Sequence, residues 1–91
     1  CPVALKVDSW QSKYLRTLPL HHTQVEVERN DEYSIFEYYL CPTFDFRQKI
    51  LSMGATTEVL APTTLIAKVR EEGIAEYAQP NEEYKFKVYK K

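Results

Sequence analysis

The sequence contains no long apolar run and no surplus of charge of either sign. No apolar stretch among its 91 residues approaches the roughly 20 residues that a membrane helix needs. No basic segment followed by an apolar one marks a secretion signal. The formal net charge of −1 gives no basic field that would attract nucleic acid. These absences predict a cytoplasmic protein that has no contact with a membrane.

Cysteine and histidine are too scarce for a metal centre. The two cysteines, Cys1 and Cys41, do not make a disulfide framework, and no histidine stands at a spacing that would complete a zinc site. His21 and His22 are neighbours on an extended segment, where adjacent side chains point to opposite sides, so they are not expected to share a metal ion. The sequence therefore predicts reduced thiols, no metal and no cofactor.

Glycine is equally scarce, and the chain shows no catalytic arrangement. It has 2 glycines, and neither falls at residues 7–10, where an acylphosphatase-like enzyme would need a loop that cradles phosphate. Asp8 in that turn would repel an anion. Cys41 has no basic neighbour that would activate its thiol, and Asp45 stands at a helix start, where a carboxylate acts as a cap. We therefore expect no enzymatic activity.

Hydrophobic periodicity predicts an α+β fold. The predicted strands are 3–7, 23–28, 33–40 and 57–60. Helices are predicted to begin near Asp8, Thr43 and Thr63. With right-handed crossovers, the order β-α-β-β-α-β gives a ferredoxin-like sandwich with an antiparallel sheet and both helices on one face, and a further helix follows. Residues 1–79 are expected to form this module, and residues 80–91 a basic tail or an additional edge strand.

Helix signals are clearest in residues 41–62. Thr43 or Asp45 can cap the second helix, because a short side-chain oxygen accepts a hydrogen bond from a free amide at a helix start. Gly54 fits the left-handed position that ends a helix, and Pro62 closes the short strand that follows. The first helix is predicted from an apolar stripe at helical spacing, formed by Trp10, Tyr14, Leu15 and Leu18.

The third predicted strand has two different faces. Its even-numbered residues carry no charge and are assigned to the core, whereas Tyr33, Ile35 and Tyr39 lie on the opposite face. Aromatic and apolar residues with charged neighbours are typical of an interface, so these three residues are predicted to dock another domain or a second copy. The acidic residues expected on that face, which would oppose a phosphate backbone, are Glu26, Glu28 and Glu37.

Two stretches resemble a known family. They are PLHHTQ at 19–24 and PTFDFRQKILSMGATTEVLAP at 42–62. The parts that carry the resemblance are the ILSMG helix end at 50–54 and the VLAP strand at 59–62. In these features the chain is similar to the C-terminal extension, or WCX domain, of WYL-domain transcriptional regulators. The resemblance covers residues 3–78.

The resemblance implies a longer protein of which this chain is the last module. Such a regulator would carry an N-terminal helix-turn-helix domain that binds DNA, and then a WYL domain that senses an effector, with a nucleotide or nucleic acid as the expected kind. The module would pack on the WYL domain and help to form a homodimer. The chain does not begin with Met and lacks the Trp-Tyr-Leu motif that names the family, which fits a piece of a longer protein.

Arg47 is the candidate effector-binding residue. It is predicted on the exposed side of the second helix beside Gln48, where a small anionic ligand could dock. The leading interpretation is therefore a non-enzymatic regulatory, dimerisation and effector-sensing module of a DNA-binding regulator. The alternative is a stand-alone ferredoxin-like domain that binds a small ligand or another protein.

Overall fold

A computed structural model describes residues 1–72 and 84–89, and within them it has four strands, three α-helices and a short 3-10 helix at Gly54–Thr56. The elements are β1 Pro2–Asp8, α1 Ser9–Thr17, β2 Val25–Arg29, β3 Tyr33–Tyr39, α2 Phe44–Ser52, β4 Thr57–Ala61 and α3 Thr63–Glu72. The predicted α+β class and the predicted order of elements are confirmed. The last helix was predicted to continue past residue 72, and that part lies outside the described residues.

The four strands form one antiparallel sheet in the order β2-β3-β1-β4. Strands β1 and β3 pair without interruption, from Pro2 opposite Tyr39 to Asp8 opposite Tyr33. Strand β4 flanks β1, and β2 flanks β3. The two central strands are therefore β1 and β3, and their pairing joins residues far apart in sequence.

The main core lies between one face of the sheet and the three helices. Alternate residues of β1 point into it, because successive side chains of a strand face opposite sides. Its buried members from the sheet and the helices are Val3, Leu5, Val7, Leu15, Phe36, Tyr38, Phe46, Ile50, Val59, Leu65 and Ile66. Phe36 and Tyr38 confirm the predicted core face of the third strand.

Local signals set the helix ends as predicted. Helix α1 begins after Asp8, whose carboxylate accepts a hydrogen bond of 2.7 Å from the Gln11 amide. Helix α2 begins after Thr43, whose hydroxyl accepts one of 3.3 Å from the Phe46 amide. Gly54 follows α2 with a φ of 65°, a left-handed conformation that a side chain would disfavour.

The apolar stripe predicted on α1 does not pack on the sheet as a whole, because the helix turns a different side to the sheet. Leu15 is buried, but Trp10, Tyr14 and Leu18 are 63%, 53% and 76% exposed. The small side chain of Ser12 lies against the sheet instead, and its hydroxyl donates to the carbonyl oxygens of residues 7 and 8. A small residue there lets the helix approach β1 closely and leaves the large side chains outside.

The predicted cluster of three carboxylates does not form, because a β-bulge interrupts the pairing of β2 with β3. The register between β2 and β3 shifts between Glu26 and Glu28, and a bulge of this kind changes which face the following side chains occupy. Glu26 lies on the helix side, where it accepts hydrogen bonds from Arg16 at 2.9 and 2.6 Å and from Ser34 at 2.5 Å. Glu26 is therefore separated from Glu37, and the prediction of three carboxylates on one face is wrong.

The two cysteines are joined, which corrects the prediction of reduced thiols. Because Pro2 pairs with Tyr39, the register brings Cys1 beside Cys41, and a disulfide links them with 4.8 Å between their Cα atoms. The cytoplasmic localisation was inferred in part from free thiols, and this support is lost. Within residues 1–72 and 84–89, no helix has the length and apolar character that crossing a membrane requires.

The facing of α1 can be tested by the same substitution at two leucines. Leu15→Ala is expected to lower the free energy of unfolding by about 2–5 kcal/mol, because it leaves a cavity in the core. Leu18→Ala, three residues away and 76% exposed, is expected to change it by less than about 0.5 kcal/mol. Urea denaturation of both variants at low protein concentration checks this. Equal losses at the two positions would show that α1 faces the sheet differently.

Candidate functional site

The C-terminal segment covers the side of the sheet that faces away from the helices, called here the second face. Residues 84–89, called the strap, contain no strand and lie across it. The predicted edge strand is therefore not formed by these residues, and the remainder of 80–91 lies outside the described residues. The apolar part of the second face consists of Ala4, Ile35 and Leu60, with Val27, Tyr33, Ala61, Tyr84 and Phe86 packed against it.

The carboxylate of Glu37 is the polar centre of the second face. Its side chain is 0% exposed, and the strap supplies its hydrogen-bond donors. The backbone amides of Lys87, Val88 and Tyr89 donate to it at 2.7, 2.7 and 3.2 Å, and the Tyr84 hydroxyl also donates to it. Successive backbone amides that converge on one anion form a small anion-binding concavity. The strap is therefore built to hold this carboxylate in its charged form.

The surroundings of Glu37 lower the pKa of its carboxyl group. Burial alone would raise that pKa, because it penalises the charged form. The hydrogen bonds from the Tyr84 hydroxyl and from the three strap amides favour the charged form and outweigh burial, so the net shift is downward from 4.5. Burial and the nearby Glu37 raise the pKa of Tyr84, so its hydroxyl stays protonated and donates the hydrogen bond.

Further contacts hold the second half of the strap. The Lys87 ammonium lies 3.0 Å from the Glu28 carboxylate, an exposed ion pair that contributes little by itself. The Tyr89 hydroxyl donates to the carbonyl oxygen of Thr23. Its ring lies 5.9 Å from that of Tyr39. The attachment of the strap is thus made by side chains and single amides, with the densest bonding at Glu37.

The structure brings the three predicted interface residues to the second face, at and around the strap. Ile35 is 9% exposed and lies in the cluster that the strap covers, and Tyr39 is 54% exposed beside Tyr89. Tyr33 donates to Glu28 at 3.1 Å, and the Lys6 ammonium lies 4.5 Å from the centre of its ring. Their role in docking another molecule stays a prediction, and the strap already occupies part of this surface.

Arg47 lies beside a shallow cleft at the start of α2. The cleft has a volume of about 200 Å³ and is lined by Pro42, Arg47, Thr64, Leu65 and Lys68. The Arg47 guanidinium lies 5.8 Å from the centre of the Phe44 ring. Two cationic side chains from two helices thus meet at one cleft, which suits a small anion. Sequence reasoning named Arg47 but missed Lys68, since only the packing of α3 beside α2 brings them together.

The two histidines are stacked, so the prediction that they point to opposite sides is wrong. Their ring centres lie 4.3 Å apart, and the Thr23 amide donates to Nδ1 of His21 at 3.3 Å. Burial first, and then the positive charges of His22 and Lys49, lower the pKa of His21. Among residues 1–72 and 84–89, no group of three histidine, cysteine or acidic side chains is placed to hold a metal ion.

These features define a small α+β domain with an anchored strap on one face of its sheet and a cationic cleft beside α2. A family model described as the WCX domain matches residues 1–75. The chain therefore belongs to the WCX domain family, which confirms the resemblance seen in the sequence. A comparison with curated proteins found no match.

The lowered pKa of Glu37 predicts how its contribution to stability depends on pH. A carboxyl whose pKa is lower in the folded state stabilises the fold above its ordinary pKa of 4.5, and this contribution is lost as the pH falls through the folded-state value. Glu37→Gln is expected to cost about 2 kcal/mol at pH 7, because hydrogen bonds to a buried charge are lost. The difference between wild type and variant should shrink below a pH of about 4.

Urea denaturation of both proteins across this pH range checks the prediction. Glu28 and Glu26 also have lowered pKa values, so the comparison with the variant is needed to isolate Glu37. Glu32→Gln, at an exposed position, is the matched control and should follow the wild type. A Glu37→Gln loss that is the same at every pH would contradict a charged carboxylate held by the strap.

Proposed function

We propose that this chain is a non-enzymatic regulatory and dimerisation module of a DNA-binding transcriptional regulator whose helix-turn-helix and WYL domains lie elsewhere in the full-length protein. Membership of the WCX family supports this context. The observation that carries the dimerisation part is the apolar surface that α1 turns to solvent. The proposal also includes DNA binding by the missing N-terminal domain and a small anionic effector, with a nucleotide as the first kind to test.

The exposed side of α1, called here the α1 surface, consists of Trp10 and Tyr14 on the helix and Leu18, the residue that directly follows its last turn. These residues recur every four positions and so line one side of a helix. The rings of Trp10 and Tyr14 lie 6.1 Å apart edge to face, and the Lys13 ammonium lies 5.3 Å from the centre of the Trp10 ring. Three large apolar side chains that are more than half exposed on one helix mark an interaction surface.

A second copy of the chain is the partner that this surface fits. Two antiparallel α1 helices related by a twofold axis at Tyr14 would place Trp10 of each opposite Leu18 of the other. A large and a smaller apolar side chain then meet at both ends, as a self-complementary contact requires. Tryptophan and tyrosine are also the residues most enriched at the centre of interfaces. The second face, where docking was predicted from the sequence, is partly filled by the strap.

The cleft beside Arg47 supports the effector part and also the alternative function. Its two cations could hold the phosphate or carboxylate of a small ligand. This would serve a regulator, and it would equally serve a stand-alone small-ligand-binding domain. The ferredoxin-like arrangement remains part of the proposal. The βαββαβ order and the packing of the helices on one face support it, while α3 and the strap are additions to it.

Self-association through the α1 surface is testable with the single tryptophan of the sequence, Trp10. We expect the emission of Trp10 to shift to shorter wavelength as protein concentration rises, because the partner helix removes the ring from water. Sedimentation velocity should show a dimer over the same range. Leu18→Gln is expected to weaken the dimer about a hundredfold, because the twofold contact loses two buried leucine side chains, each worth about 1.5 kcal/mol or more.

Phe44→Gln is the matched control, since Phe44 is 59% exposed on α2, and the variant should associate like the wild type. A chain that stays monomeric at millimolar concentration, with unchanged Trp10 emission, would contradict dimerisation through α1. Equal effects of the Leu18 and Phe44 substitutions would show association without a specific surface.

The role of Arg47 is testable in the full-length regulator and in this chain. Arg47→Ala is expected to abolish the response of a promoter reporter to the effector, because one of the two cations at the cleft is lost. In an NMR titration of the wild type with AMP or inorganic phosphate, signals of Arg47 and Lys68 should shift, and in the variant the shift at Lys68 should disappear. Lys49→Ala, exposed on α2, is the control. A full response of the Arg47 variant would end this assignment.

A further inference from the structure

We propose that the second face is a binding site for the strap sequence that works between chains as well as within one, so that two copies can exchange their straps. The partner is thus a second copy of this chain, and the exchanged element is residues 84–89. This interaction is separate from the α1 surface and does not depend on it. The case rests on the contacts that the strap makes within one chain.

The first step is that the second face is matched to the strap at several independent points. Tyr84 and Phe86 pack on the apolar cluster around Ile35, with their own rings 5.1 Å apart and perpendicular. The amides of the next residues then turn to Glu37. An apolar anchor followed by converging amides recognises both shape and charge.

The second step is that the second face needs an occupant with this chemistry. Without the strap, the carboxylate of Glu37 would lose all four of the donors described above while Ala4, Ile35 and Leu60 became exposed around it. Water would then hydrate the carboxylate, but the apolar side chains around it would lose their cover, and exposing apolar surface to water is costly. An empty second face is therefore unfavourable, and any segment that restores both the apolar cover and the amides is favoured.

The third step is that the strap of a second copy restores every one of these contacts. The residues that bind Glu37 lie 47–52 positions from it in the sequence, and no strand pairing ties the strap to a neighbouring element. The same contacts can therefore form with a strap that arrives from another chain. Exchange of one identical element between copies is an economical route to a dimer, and protein concentration decides how often it occurs.

Two complementary variants of the full chain test the exchange. Glu37→Gln removes the charged carboxylate from the second face and leaves the strap unchanged. Tyr84→Asp weakens binding of the strap, because it brings a second negative charge against Glu37, and leaves the second face unchanged. Both carry Leu18→Gln, which weakens association through α1, and they are studied at a protein concentration at which the α1 dimer of this variant does not form. Mixed in equal amounts, they should form a one-to-one heterodimer in sedimentation velocity, while each alone stays monomeric.

The controls separate exchange from other association. Lys85→Gln also lowers the charge of the strap by one unit, but at an exposed position. Mixed with the Tyr84→Asp chain, this variant should form no more heterodimer than the wild type does. Circular dichroism establishes that each variant is folded. A mixture of folded variants that sediments as two monomers would overturn the proposal, and the α1 dimer of the wild type could still stand.

A second measurement covers the case in which Glu37→Gln does not fold. A labelled peptide of sequence YKFKVYKK, residues 84–91, is titrated into the Tyr84→Asp chain, whose face is intact and lacks a competent strap of its own. Fluorescence anisotropy should show saturable binding, and a peptide with aspartate in place of its first tyrosine should bind at least about tenfold more weakly, since it repels Glu37. Equal binding of the two peptides, or no binding of either, would overturn the proposal.

Discussion

The buried carboxylate of Glu37 is the constraint on which the arrangement of the second face depends. It lies in β3, between Ala4 of β1 and Val25 of β2, where neither neighbour offers a charge or a side-chain donor. A charge in such a place must find its donors outside the sheet. The strap supplies them, and with them an apolar cover. One acidic residue in an interior strand therefore decides where a segment some fifty residues later in the chain is attached.

The other face of the fold is governed by a small residue. Ser12 allows α1 to lie close to β1, and the cost is that Trp10, Tyr14 and Leu18 remain in water. The domain thus covers the face that was predicted to be open and exposes a helix that was predicted to be covered. The strap covers apolar side chains of the second face, whereas the large side chains of α1 remain in water.

Local chemistry could be predicted from the sequence, and long-range placement could not. Thr43 as a cap, Gly54 as a helix end and the order of the elements all depend on neighbours within a few residues. Register and packing, by contrast, decide three features that lie beyond such neighbours. They are the bulge after Glu26, the disulfide between the cysteines and the meeting of Arg47 and Lys68 at one cleft. Two sequence features could have predicted the strap. One is Glu37, a lone acidic residue among the aromatic residues of a strand, and the other is the alternating aromatic residues of the tail.

Hydrogen exchange of the backbone amides of Lys87, Val88 and Tyr89 measures whether Glu37 anchors the strap. NMR on the intact chain can follow each amide in the wild type and in Glu37→Gln. We expect the three amides to exchange far more slowly than those of an unstructured peptide of the same sequence. The substitution should remove this protection while the β1 amides keep theirs. Unprotected amides at all three positions in the wild type would contradict anchoring by Glu37.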